Sequence, residues 1–521
     1  MPRGLHRRRG MLASLRTAAV FGVDACPVHV EVDVSFGLPK FVMVGLPDTA
    51  VRESRERVRL AIRNSGFDYP PHRITVSLSP ADVRKAGASF DLPIALGILA
   101  ATGVVQRRQI ADRVLLGELS LDGGIQPTRG VLPIAAAARR DGLAGMLLPS
   151  ANAGEAAIVT DLDIIAVSSL ADAVRALNDP IAFRANDGAA SVPRSDPPGL
   201  PGLPDLSEVR GQLLARRALE IAAAGSHNLL LVGPPGGGKT MMARRLPGIL
   251  PPLTFDEALD VTAVHSVAGL LPSGAGLQTT RPFRAPHHTI SNAALVGGGP
   301  QPRPGEVSLA HHGVLFLDEM LEFSRHVLEV LRQPLEEGHV AIARAARTAV
   351  FPARFMLIGA MNPCPCGYAG DPARVCRCTP PQLDRYHDRL SGPLRDRLDL
   401  TVDVPAVPIE ALYESNAAES SADVRARVVA ARMRQHDRYA RSGIATNARL
   451  TTAMLERHCA IDRTALAVVT AAMRKLSLSA RGYDRVRKVA RTIADLAGED
   501  RIRAEHVAEA LQFRQPGSRS A

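Results

Sequence analysis

Leu229-Leu-Leu-Val232 runs without a break into Gly233-Pro-Pro-Gly-Gly-Gly-Lys-Thr240, and Met241-Met-Ala-Arg-Arg245 continues as a helix-forming stretch. An apolar strand, a glycine-rich loop and a helix in that order form a phosphate-binding unit. The glycines let backbone N–H groups close on phosphate oxygens, and the helix start adds positive potential. Gly233, Pro234, Pro235, Gly236, Gly237, Gly238, Lys239 and Thr240 are therefore the expected nucleotide-binding residues. Lys239 reaches the outer phosphates and Thr240 holds Mg2+, so ATP and Mg2+ are the cofactors this stretch implies.

Working outward, Val314-Leu-Phe-Leu-Asp-Glu319 is an apolar strand that ends in two carboxylates. A central parallel strand is buried on both faces, and acids at its C-terminal end lie where open α/β sheets bind ligands. Asp318 is then the water-mediated Mg2+ partner and Glu319 the base that polarises the attacking water. A further strand at 355–360 leads to Asn362, whose amide either orients the same water or caps the turn before Pro363.

The chain has 521 residues, 46% of them hydrophobic, which is enough for three or four domains with cores and excludes a disordered or fibrous chain. The period-2 runs at 28–34, 41–44, 74–78 and 114–116 predict strands, and 48–65 and 92–101 predict helices, giving an N-terminal α/β or α+β domain over 1–175. The Pro/Gly/Ser-rich 176–205 reads as a linker without helix or strand. Strand and helix alternate over 206–405, and 406–521, rich in Ala, Arg and Leu, reads as a helical bundle. The fold class is α/β.

The phosphate loop, the acidic strand end, the asparagine and a helical bundle behind them together resemble the AAA+ ATPase superfamily. Within it, His311-His-Gly-Val-Leu-Phe-Leu-Asp-Glu319, Pro304-Gly-Glu306 and Ser391-Gly-Pro-Leu-Arg-Asp-Arg-Leu-Asp399 look like the magnesium-chelatase/minichromosome-maintenance branch. Val44-Gly-Leu-Pro-Asp48, Lys85-Ala-Gly-Ala-Ser-Phe-Asp-Leu-Pro-Ile-Ala95, Arg281-Pro-Phe-Arg-Ala-Pro-His-His288 and Ala490-Arg-Thr-Ile-Ala-Asp495 extend the likeness, and over about 11–511 the chain resembles the YifB/ComM family. Residues 1–10 fall outside it and are expected to be an upstream-start extension.

That resemblance implies a homo-hexameric, ATP-driven motor on single-stranded or branched DNA, a helicase that migrates branches in recombination or natural transformation. The alternative is a magnesium-chelatase-type motor subunit driving metal insertion into a porphyrin. By the same resemblance Arg397 matches an arginine finger that reaches a neighbour's γ-phosphate, with Arg389 and Arg395 as rivals. Arg481 matches the sensor arginine of the lid helix, with Arg485 as second choice. Glu336 to Arg347 reads as a β-hairpin of the presensor type, with Arg344 as the DNA-contacting residue and Arg347 assisting, and Val296-Gly-Gly-Gly299 is the second pore loop. The N-terminal domain is similar to the Lon protease domain, with Ser89 at the nucleophile's place but Leu132 where the lysine would stand. A serine without a base is a poor nucleophile, so the domain is expected to be non-proteolytic.

Four of the six cysteines form two Cys-x-Cys pairs, Cys364-Pro-Cys366 and Cys376-Arg-Cys378, nine residues apart. Four thiolates in a loop without a core suit tetrahedral Zn2+, with free thiols or redox use as the other readings. The adjacent pairs His287/His288 and His311/His312 are not read as metal ligands.

The net charge is +11, yet only five of the 63 basic residues are lysines, a compositional bias that weakens charge as a sign of nucleic acid. The excess is local: 421–521 carries 20 Lys+Arg against 10 Asp+Glu. The basic N-terminus leads into no cleavable apolar core, and the apolar run at 92–105 is shorter than the about 20 residues a membrane helix needs. A cytoplasmic protein without membrane contact is expected.

Overall fold

Asp24–Ser35 alternates valine with polar residues, and in the computed structural model it is a strand whose Val28, Val30, Val32 and Val34 are buried. The structure describes residues 11–81, 85, 87–106, 108, 110–186, 202–299, 302–343, 348–371, 374–406, 418–476 and 479–514. The N-terminal strands are β1 (Met11–Phe21), β2 (Asp24–Ser35), β3 (Lys40–Val44), β4 (Arg73–Ser79), β5 (Arg113–Leu115), β6 (Gly145–Pro149) and β7 (Asp163–Val167). They form one sheet in the order β3-β4-β2-β1-β5-β6-β7. The β1/β2 and β2/β4 pairs are antiparallel and the other pairs parallel.

One face of this sheet carries α1 (Thr49–Asn64) and α2 (Asp91–Ala101). Every residue of α2 is buried, and a Cβ on Gly97 would come within 2.5 Å of Val32 Cγ2, so the helix lies directly on β2. Asp91 at its start is also buried. Burial pushes its carboxyl up, and Arg57, at 2.7 Å, pulls it back toward the charged form. The other face carries α3 (Val131–Arg140). After α4 (Leu170–Asn178), Pro180–Asn186 forms a further helix, α5, where the sequence was expected to have only linker. Proline suits the first turn of a helix, where its missing N–H costs nothing, and Ile-Ala-Phe-Arg-Ala carries the helix on.

The second sheet is built from β8 (Leu229–Val232), β9 (Phe283–Arg284), β10 (Val314–Leu317), β13 (Met356–Met361) and β14 (Leu400–Asp403), with the hairpin strands β11 (His339–Ala343) and β12 (Thr348–Pro352) lying outside it. Its order is β9-β10-β13-β8-β14, and every pair is parallel. The phosphate-loop strand β8 is thus flanked by β13 and β14, buried on both faces as its unbroken leucine run requires. Helices α6 (Leu213–Gly225), α7 (Lys239–Ile249) and α8 (Phe255–Ala268) pack around this unit, and α9 (Arg332–Glu337) precedes the hairpin. The hairpin starts at His339, not at Glu336, because Glu336 and Glu337 belong to α9 and Gly338 ends it at φ +72°.

The C-terminal region is helical, as expected, with α10 (Ser421–Tyr439), α11 (Ala480–Leu496) and α12 (Ala504–Gln512) sharing one apolar core with the second sheet. Many of its arginines are occupied internally. Arg427 pairs with Glu220 and Glu419, and Arg438 and Arg491 pair with buried Asp495. Much of the basic excess after residue 421 therefore serves packing. Among the described residues no helix is long and apolar enough to cross a membrane.

The N-terminal sheet docks on the second unit. Leu259 and Ala263 of α8 pack against the α3 core, and the Gly130 N–H donates to Ser266 O at 3.2 Å. Buried Glu155 accepts from the Leu132 N–H at 2.7 Å and from the Ser266 hydroxyl across the junction. At the tip of the β1–β2 turn, Gly22 lies so close to β12 that a Cβ would come 3.0 Å from the Val350 carbonyl oxygen.

Candidate nucleotide-binding site

The phosphate loop leaves β8 at Gly233, where a Cβ would stand 2.0 Å from Val404 O, so only glycine lets the loop pass the end of β14. The Gly233 N–H donates to Met361 O at 3.2 Å, tying the loop to the end of β13. Gly238, at φ +87°, turns the chain into α7.

Lys239 is nearly buried, and its Nζ donates to Gly233 O at 2.6 Å, Pro234 O at 2.9 Å and Asn362 Oδ1 at 3.1 Å. Burial lowers its ammonium pKa, while the carboxylates of Asp318 and Glu319 act to keep it charged. The Thr240 hydroxyl donates to Asp318 Oδ2 at 2.6 Å. The expected residues therefore converge: Lys239 with Asn362, Thr240 with Asp318, all at the C-terminal ends of parallel strands. Glu319 follows Asp318 with a left-handed backbone, φ +49°, unusual outside glycine, and its side chain is 60% exposed. His288 Nδ1 lies 3.9 Å from its Oε2. The pattern around Glu319 gave no reason to single out His288 as its neighbour.

The Lys239 ammonium on the loop carbonyls and the Thr240–Asp318 pair suit a polyphosphate and a hard, oxygen-seeking cation.

The arginines lie elsewhere. Arg397, its guanidinium pKa lowered by burial, ion-pairs with Glu336 of α9 and donates to Pro393 O at 3.1 Å. Arg389 donates to Leu321 O at 2.8 Å and Arg395 to His387 O at 3.3 Å. Arg485 is buried and pairs with Asp396 at 3.4 Å, whereas Arg481 is exposed at the start of α11. Within one chain, none of the hydrogen bonds or ion pairs described for these arginines reaches the phosphate loop. Arg344 and Arg347 lie outside the described residues. Val296 ends a short helix, and Gly297–Gly298 pair with Arg303–Pro304 in a two-residue ladder.

The four cysteines come together, with all four Sγ atoms within 4.8 Å of one another. The His311/His312 pair faces acids from α8: His312 Nδ1 is 3.4 Å from Glu257 and its Nε2 3.5 Å from Asp260. Burial pushes His311 down to about 4, and its Nδ1 accepts the Arg354 N–H at 2.9 Å, so it serves as a neutral strut between β10 and β13. Ser89 lies in a short turn ahead of α2, and Leu132 is buried in α3.

A parallel sheet with β8 between β13 and β14, a phosphate loop at its C-terminal edge and Asp-Glu on an inner strand define a P-loop ATPase of the AAA+ class. The profile described as magnesium chelatase, subunit ChlI, matches residues 205–412, that of subunit ChlI of Mg-chelatase 30–152, and that of the subunit ChlI C-terminal region 418–514. The competence protein ComM of Haemophilus influenzae is 44% identical over 511 residues, 96% of this chain and 97% of its own length. An uncharacterised protein of Mycobacterium tuberculosis is 45% identical over 504 residues, 96% of this chain and 98% of its own. The 38 kDa magnesium-chelatase subunit of Rhodobacter capsulatus is 26% identical over 175 residues, 30% of this chain and 49% of its own. The chain belongs to the YifB/ComM family of magnesium-chelatase-like AAA+ ATPases.

Proposed function

We propose that this protein is an ATP-hydrolysing ring motor that moves on single-stranded or branched DNA, a branch-migration translocase of recombination or natural transformation, working as a cytoplasmic homo-hexamer. The observation that carries it is the convergence of Lys239 with Asn362 and of Thr240 with Asp318 at one sheet edge. The near full-length likeness to a protein named for competence supports the DNA reading over porphyrin metal insertion, because the chelatase subunit matches only 30% of this chain.

Bound Mg-ATP supplies the phosphoanhydride bond whose cleavage drives the motor. In this chain the Gly233–Thr240 loop binds and orients the phosphates, and Lys239 exchanges loop carbonyls for phosphate oxygens. Thr240 and Asp318 hold the cation. Glu319 takes the proton of the attacking water, and Asn362 orients that water. Arg397 serves a neighbour's site, with Arg389 and Arg395 as rivals, and Arg481, or failing it Arg485, reports from the lid. Arg344, with Arg347, both between β11 and β12 in sequence, contacts DNA. The domains act as a Lon-like, non-proteolytic unit over 1–175 that the helix Pro180–Asn186 extends, a linker over the rest of the stretch to 205, the ATPase core over 206–405 and the lid over 406–521.

The test is the rate of ATP hydrolysis with single-stranded DNA, forked DNA or no DNA, with Lys239→Ala as control. Stimulation by DNA supports the motor, hydrolysis indifferent to DNA favours the chelatase-type subunit, and no hydrolysis refutes both.

A further inference from the structure

Between β13 and the helix Pro380–His387, the described residues form no helix or strand. Within this stretch Cys364 Sγ lies 3.3 Å from Cys366 Sγ, and Cys376 Sγ lies 3.7 Å from both. A tetrahedral tetrathiolate with zinc–sulfur bonds of about 2.3 Å has sulfur–sulfur edges of about 3.8 Å, which these spacings approach. A disulfide needs about 2.05 Å, and none of these spacings is near it. Backbone amides also point at the sulfurs: Ala369 N–H to Cys364 at 3.2 Å, Cys366 N–H to Cys378 at 3.4 Å and Cys378 N–H to Cys376 at 3.5 Å. Amide donors around sulfur are the surroundings a metal-bound thiolate uses.

The cluster touches the nucleotide site at two points. Gly367, in the turn after the first cysteine pair at φ +89°, lies so close to the phosphate loop that a Cβ would meet Pro235 Cδ at 2.6 Å and Cγ at 2.9 Å. Asn362, two residues before Cys364, accepts from Lys239. The far end is anchored too: Cys378 leads through Thr379 into the helix Pro380–His387, whose buried Tyr386 hydroxyl meets the Asn362 backbone amide.

We propose that Cys364, Cys366, Cys376 and Cys378 bind one Zn2+, and that this centre holds Gly367 against Pro235 and Asn362 beside Lys239, so that nucleotide affinity depends on the metal. The zinc site stands on the sulfur geometry alone. The coupling rests on the nucleotide reading above. A loop without a core of its own gains its fold from the metal, and losing the metal frees one wall of the phosphate loop.

The experiment is metal analysis of the full chain purified without chelator or metal resin, alongside titration with a fluorescent ATP analogue. About one zinc per chain, released by a mercurial thiol reagent and lost in Cys376→Ser, is expected. Chelator-stripped protein that keeps its helical signal should bind nucleotide about tenfold more weakly, and zinc restores it. Gly367→Ala should keep zinc and lose affinity, whereas Lys239→Ala keeps zinc while losing the nucleotide. Metal-free protein with four freely reactive thiols, or with disulfides, overturns the site. Zinc that can be removed with nucleotide affinity unchanged overturns the coupling. Zinc in a chain that binds no nucleotide leaves the site standing and overturns both the coupling and the nucleotide reading.

Discussion

Replacing Glu155 with alanine tests the junction between the two sheets. Its carboxylate accepts from the Leu132 N–H at 2.7 Å, the buried Ser266 hydroxyl and Asn152 Nδ2 at 3.2 Å. Asn152 keeps a second acceptor, Thr128 O at 2.9 Å, so the substitution strands two buried donors, at about 1–3 kcal/mol each. Against that stands the relief of desolvation: burial raises the Glu155 pKa, with the surrounding donors opposing it. The net cost is about 1–3 kcal/mol, or a roughly 5- to 150-fold rise in local opening. Hydrogen exchange read by mass spectrometry over 131–140 and 255–268 measures that opening on both sides of the junction. Ser266→Ala should act in the same direction, and the double variant should fall short of additivity by about 1 kcal/mol or more. Additivity within about 0.3 kcal/mol, or acceleration on one side only, would refute the cross-junction bond. The pH dependence has a defined sign. A carboxyl whose pKa is raised by folding adds stability that is fully present below its ordinary value and lost as pH rises through the raised value. Thermal stability of the folded chain should rise in mild acid, and Glu155→Gln should remove that trend.

Lys239→Ala should weaken nucleotide binding roughly 10- to 150-fold, the loss of a charge-assisted contact, while Glu319→Gln binds nucleotide normally and hydrolyses it about 100-fold or more slowly. Fluorescent nucleotide titration and phosphate release separate the two. Arg397→Ala should lower hydrolysis by roughly 10³-fold in the assembled protein, with restoration when it is mixed with Lys239→Ala subunits; Arg389→Ala or Arg395→Ala showing that pattern instead reassigns the finger. Arg344→Ala should lower the salt slope of DNA binding by about one unit and leave basal nucleotide affinity intact, as read by DNA titration across salt concentrations.

The nucleotide site was largely legible because its chemistry is local. Leu229 to Thr240 must be strand, loop and helix in that order, and Val314 to Glu319 has no other way to bury its apolar run. Strand β1 was missed: Arg16 and Thr17 interrupt the alternation of Met11–Phe21, whose place is set by its eleven-residue pairing with β2. The helix at Pro180–Asn186 was masked by the surrounding Pro and Gly. What no pattern carried were pairings between distant residues: Glu155 with Ser266, Glu336 with Arg397, and Gly367 with Pro235. Each is a meeting of side chains set by tertiary packing, which leaves no periodicity behind. The cysteine spacing announced a cluster, but not that it rests on the phosphate loop.

On the motor reading proposed above, the turn at Gly22 would give the N-terminal sheet a mechanical role. With no side chain between them, the β1–β2 turn sits against the Val350 backbone, so β12 has a solid backstop on that side. A hairpin that swings freely dissipates its stroke in its own bending. One braced against a seven-stranded sheet transmits force as a stiff beam does, and the sheet shares its recoil.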